Sequence, residues 1–220
     1  MTVTASARKE GKRVEEKNYL AKKEKRDEVV AMMTSGNWRS ILDLYDDEVE
    51  MYHEPLLVWI RPSLEMLRWL EAELRSLFPA GKSANILSIG CGCGFLEWLI
   101  NHATSEVRTE GLEVNSGWWE STYSTPHLIP LTYTEPGVIP KLPEDKAVMF
   151  CYFNGLQYFE EYLDAYSGKC VILIGPVDGS RHCDPEPDYL MNHPNWERKS
   201  FHDIRNENRD HVVIYTRRSR

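Results

Sequence analysis

The feature that most constrains this chain is the run Ile86-Leu87-Ser88-Ile89-Gly90-Cys91-Gly92-Cys93-Gly94-Phe95-Leu96-Glu97-Trp98-Leu99-Ile100. An apolar strand enters three glycines at alternate positions, and an amphipathic helix starts directly behind them. A strand of this character is buried on both faces, as in a parallel sheet covered by helices. In such open sheets, ligands sit outside the carboxyl ends of the strands, where strand order reverses. Glycines there let the backbone approach a ligand without an intervening Cβ. The helix behind them offers free N–H groups and a positive dipole end. The run therefore reads as a nucleotide-binding turn. The next strand, ending Gly111-Leu112-Glu113-Val114, closes on an acid.

The rest of the chain fits that frame. Residues 11–34 are highly charged and helix-prone, and Ser35-Gly36-Asn37 breaks them. Trp38, Ile41, Leu42, Tyr45 and Val49 recur at helical spacing, which predicts a short amphipathic helix over 37–51. Arg61-Pro62-Ser63 opens another helix, with Pro62 in its first turn. Leu64, Leu67, Leu70, Leu74 and Leu77 form its stripe, and Pro79-Ala80-Gly81 stops it. Alternation follows: strands at 84–89, 107–114, 127–132, 147–153 and 170–174, with helices at 94–103, near Trp118-Trp119 and at 156–166. A short helix is expected at 187–193, then strands near 196–203 and 211–216. The last two are joined by too short a turn for a crossover, so they pair antiparallel. The expected fold is a doubly wound α/β domain over 61–220, preceded by a charged helical extension over 1–60. Its sheet is mostly parallel and seven-stranded, with an antiparallel last strand.

Composition narrows the function. No apolar run approaches a membrane span, and the polar, charged start does not read as a signal peptide. Five cysteines, two of them inside the glycine turn, suit a reducing, cytoplasmic setting better than a disulfide framework. Residues 1–26 hold nine Lys/Arg against four Glu, whereas the whole chain carries a net charge of −8. The body is thus acidic, which disfavours broad nucleic-acid binding. The basic arm, or the Arg217-Arg218-Ser219-Arg220 tail, is what would serve RNA.

The spacing Gly90-x-Gly92-x-Gly94 departs from the dinucleotide fingerprint G-x-G-x-x-G. It resembles motif I of the class I S-adenosylmethionine (SAM)-dependent methyltransferases, and Glu113 is similar to their motif II acid, which accepts from the ribose hydroxyls. The stretch from Ile129-Pro130-Leu131 to Leu142-Pro143 resembles that family's third strand and loop, with Thr134 and Glu135 on the adenine side. Phe150-Cys151-Tyr152-Phe153-Asn154 stands where motif IV would. The resemblance implies SAM as cofactor, held by Ser88, Gly90, Cys91, Gly92, Gly94, Glu113, Val114, Glu135 and Cys151. It implies methyl transfer to a nucleophilic N, O or S, and the acidic body favours a small-molecule or protein acceptor over nucleic acid. One departure stands out: family members usually carry Asp or Glu where this chain has Ser88, and that acid helps hold the cofactor's amino group.

The acceptor side is less specific. His53 is the candidate base, with Tyr52, Trp59 and Arg61 as neighbours, and Tyr152 and Asn154 follow the fourth strand. Asn154 reads first as the N-cap of 156–166, and Tyr152 either faces the pocket or packs. Trp118 or Trp119 either stacks on adenine or packs in the core. Cys91 and Cys93 read as small side chains in tight space rather than thiolate nucleophiles. His182-Cys183-Asp184 with His193 matches no zinc spacing, so no metal is expected. Two alternatives remain. One is a non-catalytic methyltransferase-like module that binds SAM, or a protein partner through its N-terminal helix. The other is an RNA methyltransferase using the basic arm.

Overall fold

The computed structural model describes residues 23–46, 57–79, 84–121, 124–177, 179, 183–204 and 209–219. Helix α1 is described over 23–34 and is followed by α2 (Trp38–Asp46) and α3 (Leu64–Leu77). Then come β1 (Ala84–Ile89), α4 (Phe95–Ala103), β2 (Val107–Val114), the one-turn α5 (Ser116–Trp119), β3 (Leu131–Thr134), β4 (Ala147–Cys151), α6 (Leu156–Ala165), β5 (Cys170–Pro176), β6 (Trp196–Ile204) and β7 (Asp210–Arg217). The seven strands form one sheet in the order β3-β2-β1-β4-β5-β7-β6. β1 to β5 run parallel, and β7 lies antiparallel between β5 and β6. This is the doubly wound, seven-stranded Rossmann-like architecture expected from the alternating pattern. Strand order reverses between β1 and β4, so the ligand crevice of such a sheet lies at their carboxyl ends.

Side-chain alternation builds two cores, one on each face. Ile86, Met149, Ile172, Ile174, Val212 and Ile214 pack with apolar residues of α1 to α4 on one face. Leu87, Ile89, Phe150, Val171, Leu173, Val213 and Tyr215 pack with Phe159, Tyr162 and Leu163 of α6 on the other. Val29 and Met33 of α1 and Ile41, Leu42 and Tyr45 of α2 belong to the first core, so these helices share a core with the sheet.

Several boundaries differ from the sequence expectation. Ser63 is the N-cap of α3, its Oγ accepting from the Met66 N–H at 3.1 Å, so Pro62 lies before the helix. Such a cap is worth about 1 kcal/mol. Met66 joins Leu67, Leu70 and Leu74 in the buried stripe, while Leu64 and Leu77 are only half-buried. β3 starts at Leu131 rather than 127, because Pro130 has no N–H to give a ladder. β4 ends at Cys151 because Tyr152 turns the chain at φ 49°. Residues 187–192 form successive turns, not a helix. Asn154 does not cap α6: Gly155 occupies that position and the Leu156 N–H faces the Asp184 carboxylate at 3.4 Å. The expected helical segments 11–22 and 47–51 lie outside the described residues.

The strand that carries Glu113 is anchored from α4. β3 is short, so its pairing with β2 begins only at Gly111. Ahead of that point, the Asn101 side chain takes both backbone groups of Thr109: Nδ2 donates to the Thr109 carbonyl at 3.1 Å, and Oδ1 accepts its N–H at 2.7 Å. Replacing Asn101 by Ala leaves both backbone groups without that partner. The expected loss is about 1–3 kcal/mol, read as a lower urea midpoint at unchanged m-value.

Candidate functional site

The glycine turn folds as its residues dictate. Gly90, Gly92 and Gly94 have φ of 70°, 63° and 79°, the left-handed region that other residues enter only at a cost. The turn also needs their missing side chains. A Cβ on Gly94 would sit 2.4 Å from Cγ1 of Ile129, and one on Gly90 would sit 3.1 Å from the Phe153 ring. Gly94 then starts α4 as its N-cap.

Glu113 at the end of β2 closes over this turn. Its Oε1 accepts from the Gly92 N–H at 2.6 Å and its Oε2 from the Val114 N–H at 3.0 Å. The Trp119 indole is close enough to favour the charged carboxylate as well. Burial pushes the Glu113 pKa up, and these three groups pull against that shift.

Two cavities meet at Gly90 and Glu113. The first, of about 290 Å³, lies between the ends of β1, β2 and β4 and the loop after β3. Its walls are mostly apolar and aromatic: Leu112, Val114, Val138, Ile139, Phe153 and Tyr158, with Asn154 as a polar edge. The second, of about 250 Å³, lies over the glycine turn and includes Trp59, Cys91, Glu97, Trp119, Cys151 and Tyr152. Among the described lining residues of either cavity there is no Lys, Arg or His. The second instead holds two carboxyls, Glu97 and Glu113.

Ser88 is fully buried and lines neither cavity itself. Its Oγ donates to Glu97 Oε1 at 2.6 Å. Glu97 is the third residue of α4 and the only charged residue in the buried run Phe95–Ile100. A carboxyl thus stands beside the strand position that lacks one, delivered from the helix. Burial drives its pKa up to about 7, against the Ser88 hydrogen bond, with the nearby Glu113 charge adding to the rise. Sequence reading missed Glu97. The available signal was a lone acid in an otherwise apolar helical turn directly behind the glycines.

The other expected site residues fall as follows. Cys91 and Cys151 line the second cavity, and Val114 the first. Glu135 is exposed beside Pro136, which lines the first. Tyr152 lines the second cavity, and its hydroxyl donates to the buried Asp210 carboxylate at 2.5 Å. Asn154 lines the first cavity, not the second. Trp119 lies against Gly92, whereas Trp118 is exposed. Trp59 stands 6.0 Å from the Tyr152 ring, and Arg61 donates to the Tyr45 carbonyl. His53 and Tyr52 lie outside the described residues, as does His182.

The cysteines act as small fillers. Cys91 Sγ sits where a Cβ on Gly111 would fall, and Cys93 is 1% exposed. Burial pushes the Cys91 and Cys151 thiols up, and Cys93 up to about 11, so all three stay protonated at neutral pH. Among the described residues, no group of His, Cys, Asp or Glu is placed to hold a metal ion, and no helix is long and apolar enough to cross a membrane.

No family model and no curated protein matches this chain. Solved structures with a similar fold include a SAM-dependent methyltransferase from Aquifex aeolicus, at 14% identity over 71% of this chain and 98% of that one, with a TM-score of 0.40. The magnesium protoporphyrin IX methyltransferase of Synechocystis, with bound SAH, is 9% identical over 70% and 83%, at TM-score 0.47. A precorrin-6y C5,15-methyltransferase from Geobacter metallireducens is 16% identical over 79% and 96%, at TM-score 0.44. At these scores the likeness adds nothing to what the strand order already shows.

Proposed function

We propose that the crevice between β1 and β4 binds SAM and that the protein transfers its methyl group to a small-molecule or protein acceptor. The observation that carries this reading is the pair of cavities meeting at Gly90 and Glu113, with acids and no described cation around the second. The apolar first cavity suits an adenine, with Asn154 at its edge. Glu113, between the two, suits the ribose hydroxyls, since a carboxylate accepts from both at once. The second cavity then receives the amino-acid end, over the turn and the start of α4. Charge discriminates between cofactors. A pyrophosphate there faces two carboxyls, whereas in SAM the sulfonium and ammonium outweigh the single carboxylate, so a net positive ligand meets a complementary field.

When bound, SAM supplies a methyl carbon that a nucleophilic N, O or S lone pair attacks, while the C–S electron pair returns to sulfur as a neutral thioether. The chain's own residues position and exclude water: Trp59 and Tyr152 form part of the second cavity's wall, and fixing the two reactants supplies much of the acceleration. The thiols around the cavity stay protonated. An acceptor that arrives with a free lone pair therefore suits the site best. A small molecule or protein is favoured over RNA because neither cavity wall carries a described cation to meet phosphate.

The test is label transfer from methyl-labelled SAM to a cell extract separated into protein, nucleic-acid and small-molecule fractions. Label in the protein or small-molecule fraction, lost with Glu113→Ala, is the expected result. Label in nucleic acid alone replaces the acceptor class. Binding without transfer to any fraction leaves a SAM-binding module and overturns the enzyme.

A further inference from the structure

Among the described residues, the Glu97 carboxyl is a buried acid only half supplied with hydrogen bonds. The residue is 1% exposed, on the face of α4 that packs on the sheet. Ser88 satisfies Oε1, and among the described residues Oε2 has no hydrogen-bond partner. A buried polar atom left unpaired is costly, and a buried charge more so. Yet Glu97 is part of the wall of the second cavity, beside Gly90 and Cys91. Structural packing alone does not call for an acid there, since every other residue in that turn of α4 is apolar.

Every ionisable group described around Glu97 shares one property. Glu113 on β2, Cys91 and Cys93 in the turn and Cys151 at the end of β4 all become neutral or negative on titration, and none brings a positive charge. Glu97 therefore has acceptor capacity without a cation. What completes it is a ligand group with a positive charge and N–H donors, small enough to reach the floor of a cavity of about 250 Å³.

We propose that Glu97 is the receptor for the ligand's primary ammonium, delivered from helix α4 to the place that Ser88 leaves without a charge, and that cofactor binding is therefore coupled to ionisation of this carboxyl. The inference rests on the SAM reading, in which the amino-acid end lies over the turn. Burial raises the Glu97 carboxyl to about 7. An ammonium favours the ionised form, so binding below that pH expels a proton. Affinity rises with pH up to about 7 and flattens above it. A ligand that keeps the adenosine but lacks the amino-acid end gains nothing from Glu97.

The experiment is calorimetric titration of the full chain with SAM and with 5′-methylthioadenosine, which retains the adenosine but lacks the amino-acid end. Titrations at pH 6.5 in two buffers of different ionisation enthalpy count the protons released. Wild type is expected to release protons with SAM and none with methylthioadenosine. Glu97→Gln, close in shape, is expected to weaken SAM by about 10–100-fold, the range for losing a charged hydrogen bond. It should leave methylthioadenosine within about threefold, which also reports that the variant is folded, and it should abolish the proton release. Equal weakening of both ligands, or unchanged release in the variant, overturns the Glu97 assignment but not the cofactor. Binding of neither ligand by the wild type overturns the SAM reading itself, and this inference with it.

Discussion

Glu113→Ala is expected to weaken SAM binding by about 10²–10³-fold while leaving the protein folded. The carboxyl stands at the junction of the two cavities, so both ribose hydroxyls are to find their acceptor there. Two charge-assisted hydrogen bonds at about 1.5–2 kcal/mol each give that factor. The stability cost is much smaller, and the sign follows from the pKa. A carboxylate whose pKa is raised in the folded state destabilises that state as pH rises from the unfolded value, 4.5, through the folded one. Removing it at pH 8 relieves that penalty. This offsets part of the loss of its bonds to Gly92 and Val114. An unfolding midpoint within a few degrees of wild type, together with lost binding, is the expected pair of observations. Unchanged SAM affinity would remove Glu113 from the site.

Gly94→Val has the largest expected effect on the fold. The position is left-handed at φ 79°, which costs a residue with a Cβ about 1–2 kcal/mol. The added Cβ also lands 2.4 Å from Ile129, in a buried corner where the glycine turn meets the loop ahead of β3. Overpacking there adds about 1–3 kcal/mol. The sum, roughly 2–5 kcal/mol, lowers the unfolding midpoint by about 5–15 °C for a domain of this size. Gly36→Val is the matched comparison, since Gly36 has φ 72° but nothing within 4 Å of its would-be Cβ. It should show only the backbone part. Equal losses at the two positions would mean that Ile129 gives way freely and that the turn is not braced by the loop.

How legible these features are in the sequence depends on whether they are local. β1, β2 and α4 are readable because burial on both faces gives the strands an apolar character and the three glycines mark the start of the helix. The antiparallel closing pair follows from a turn too short for a crossover. β3 is misplaced because the apolar pattern starts before Pro130, and only the hydrogen-bond ladder, not hydropathy, excludes that proline. The apparent helix at 187–193 gives way to turns, and Tyr215 pins its start: the Tyr215 hydroxyl donates to the Pro187 carbonyl at 2.8 Å. Asn154 has the chemistry of an N-cap, but Asp184, 30 residues further on, reaches the helix start instead.

The site divides in the same way. Gly90, Gly92, Gly94 and Glu113 are legible because a backbone turn and a strand end place them. Glu97 is not, because its meaning depends on facing Ser88 across the helix–sheet interface. Read along the chain, Ser88 is a missing acid. Read across the interface, it is the hydroxyl that orients a present one. The lack of a described cation around either cavity is likewise visible only once the loop after β3 and the residues after β4 close the walls.

The most direct measurement is a titration of the wild-type protein at pH 8 with SAM, run beside NAD⁺ under the same conditions. Saturable one-to-one binding of SAM, with NAD⁺ binding at least about a hundredfold weaker, is the expected result. Equal binding of NAD⁺, or no binding of SAM at millimolar concentration, would contradict the assignment of the β1–β4 crevice as a site for a positively charged adenosyl cofactor.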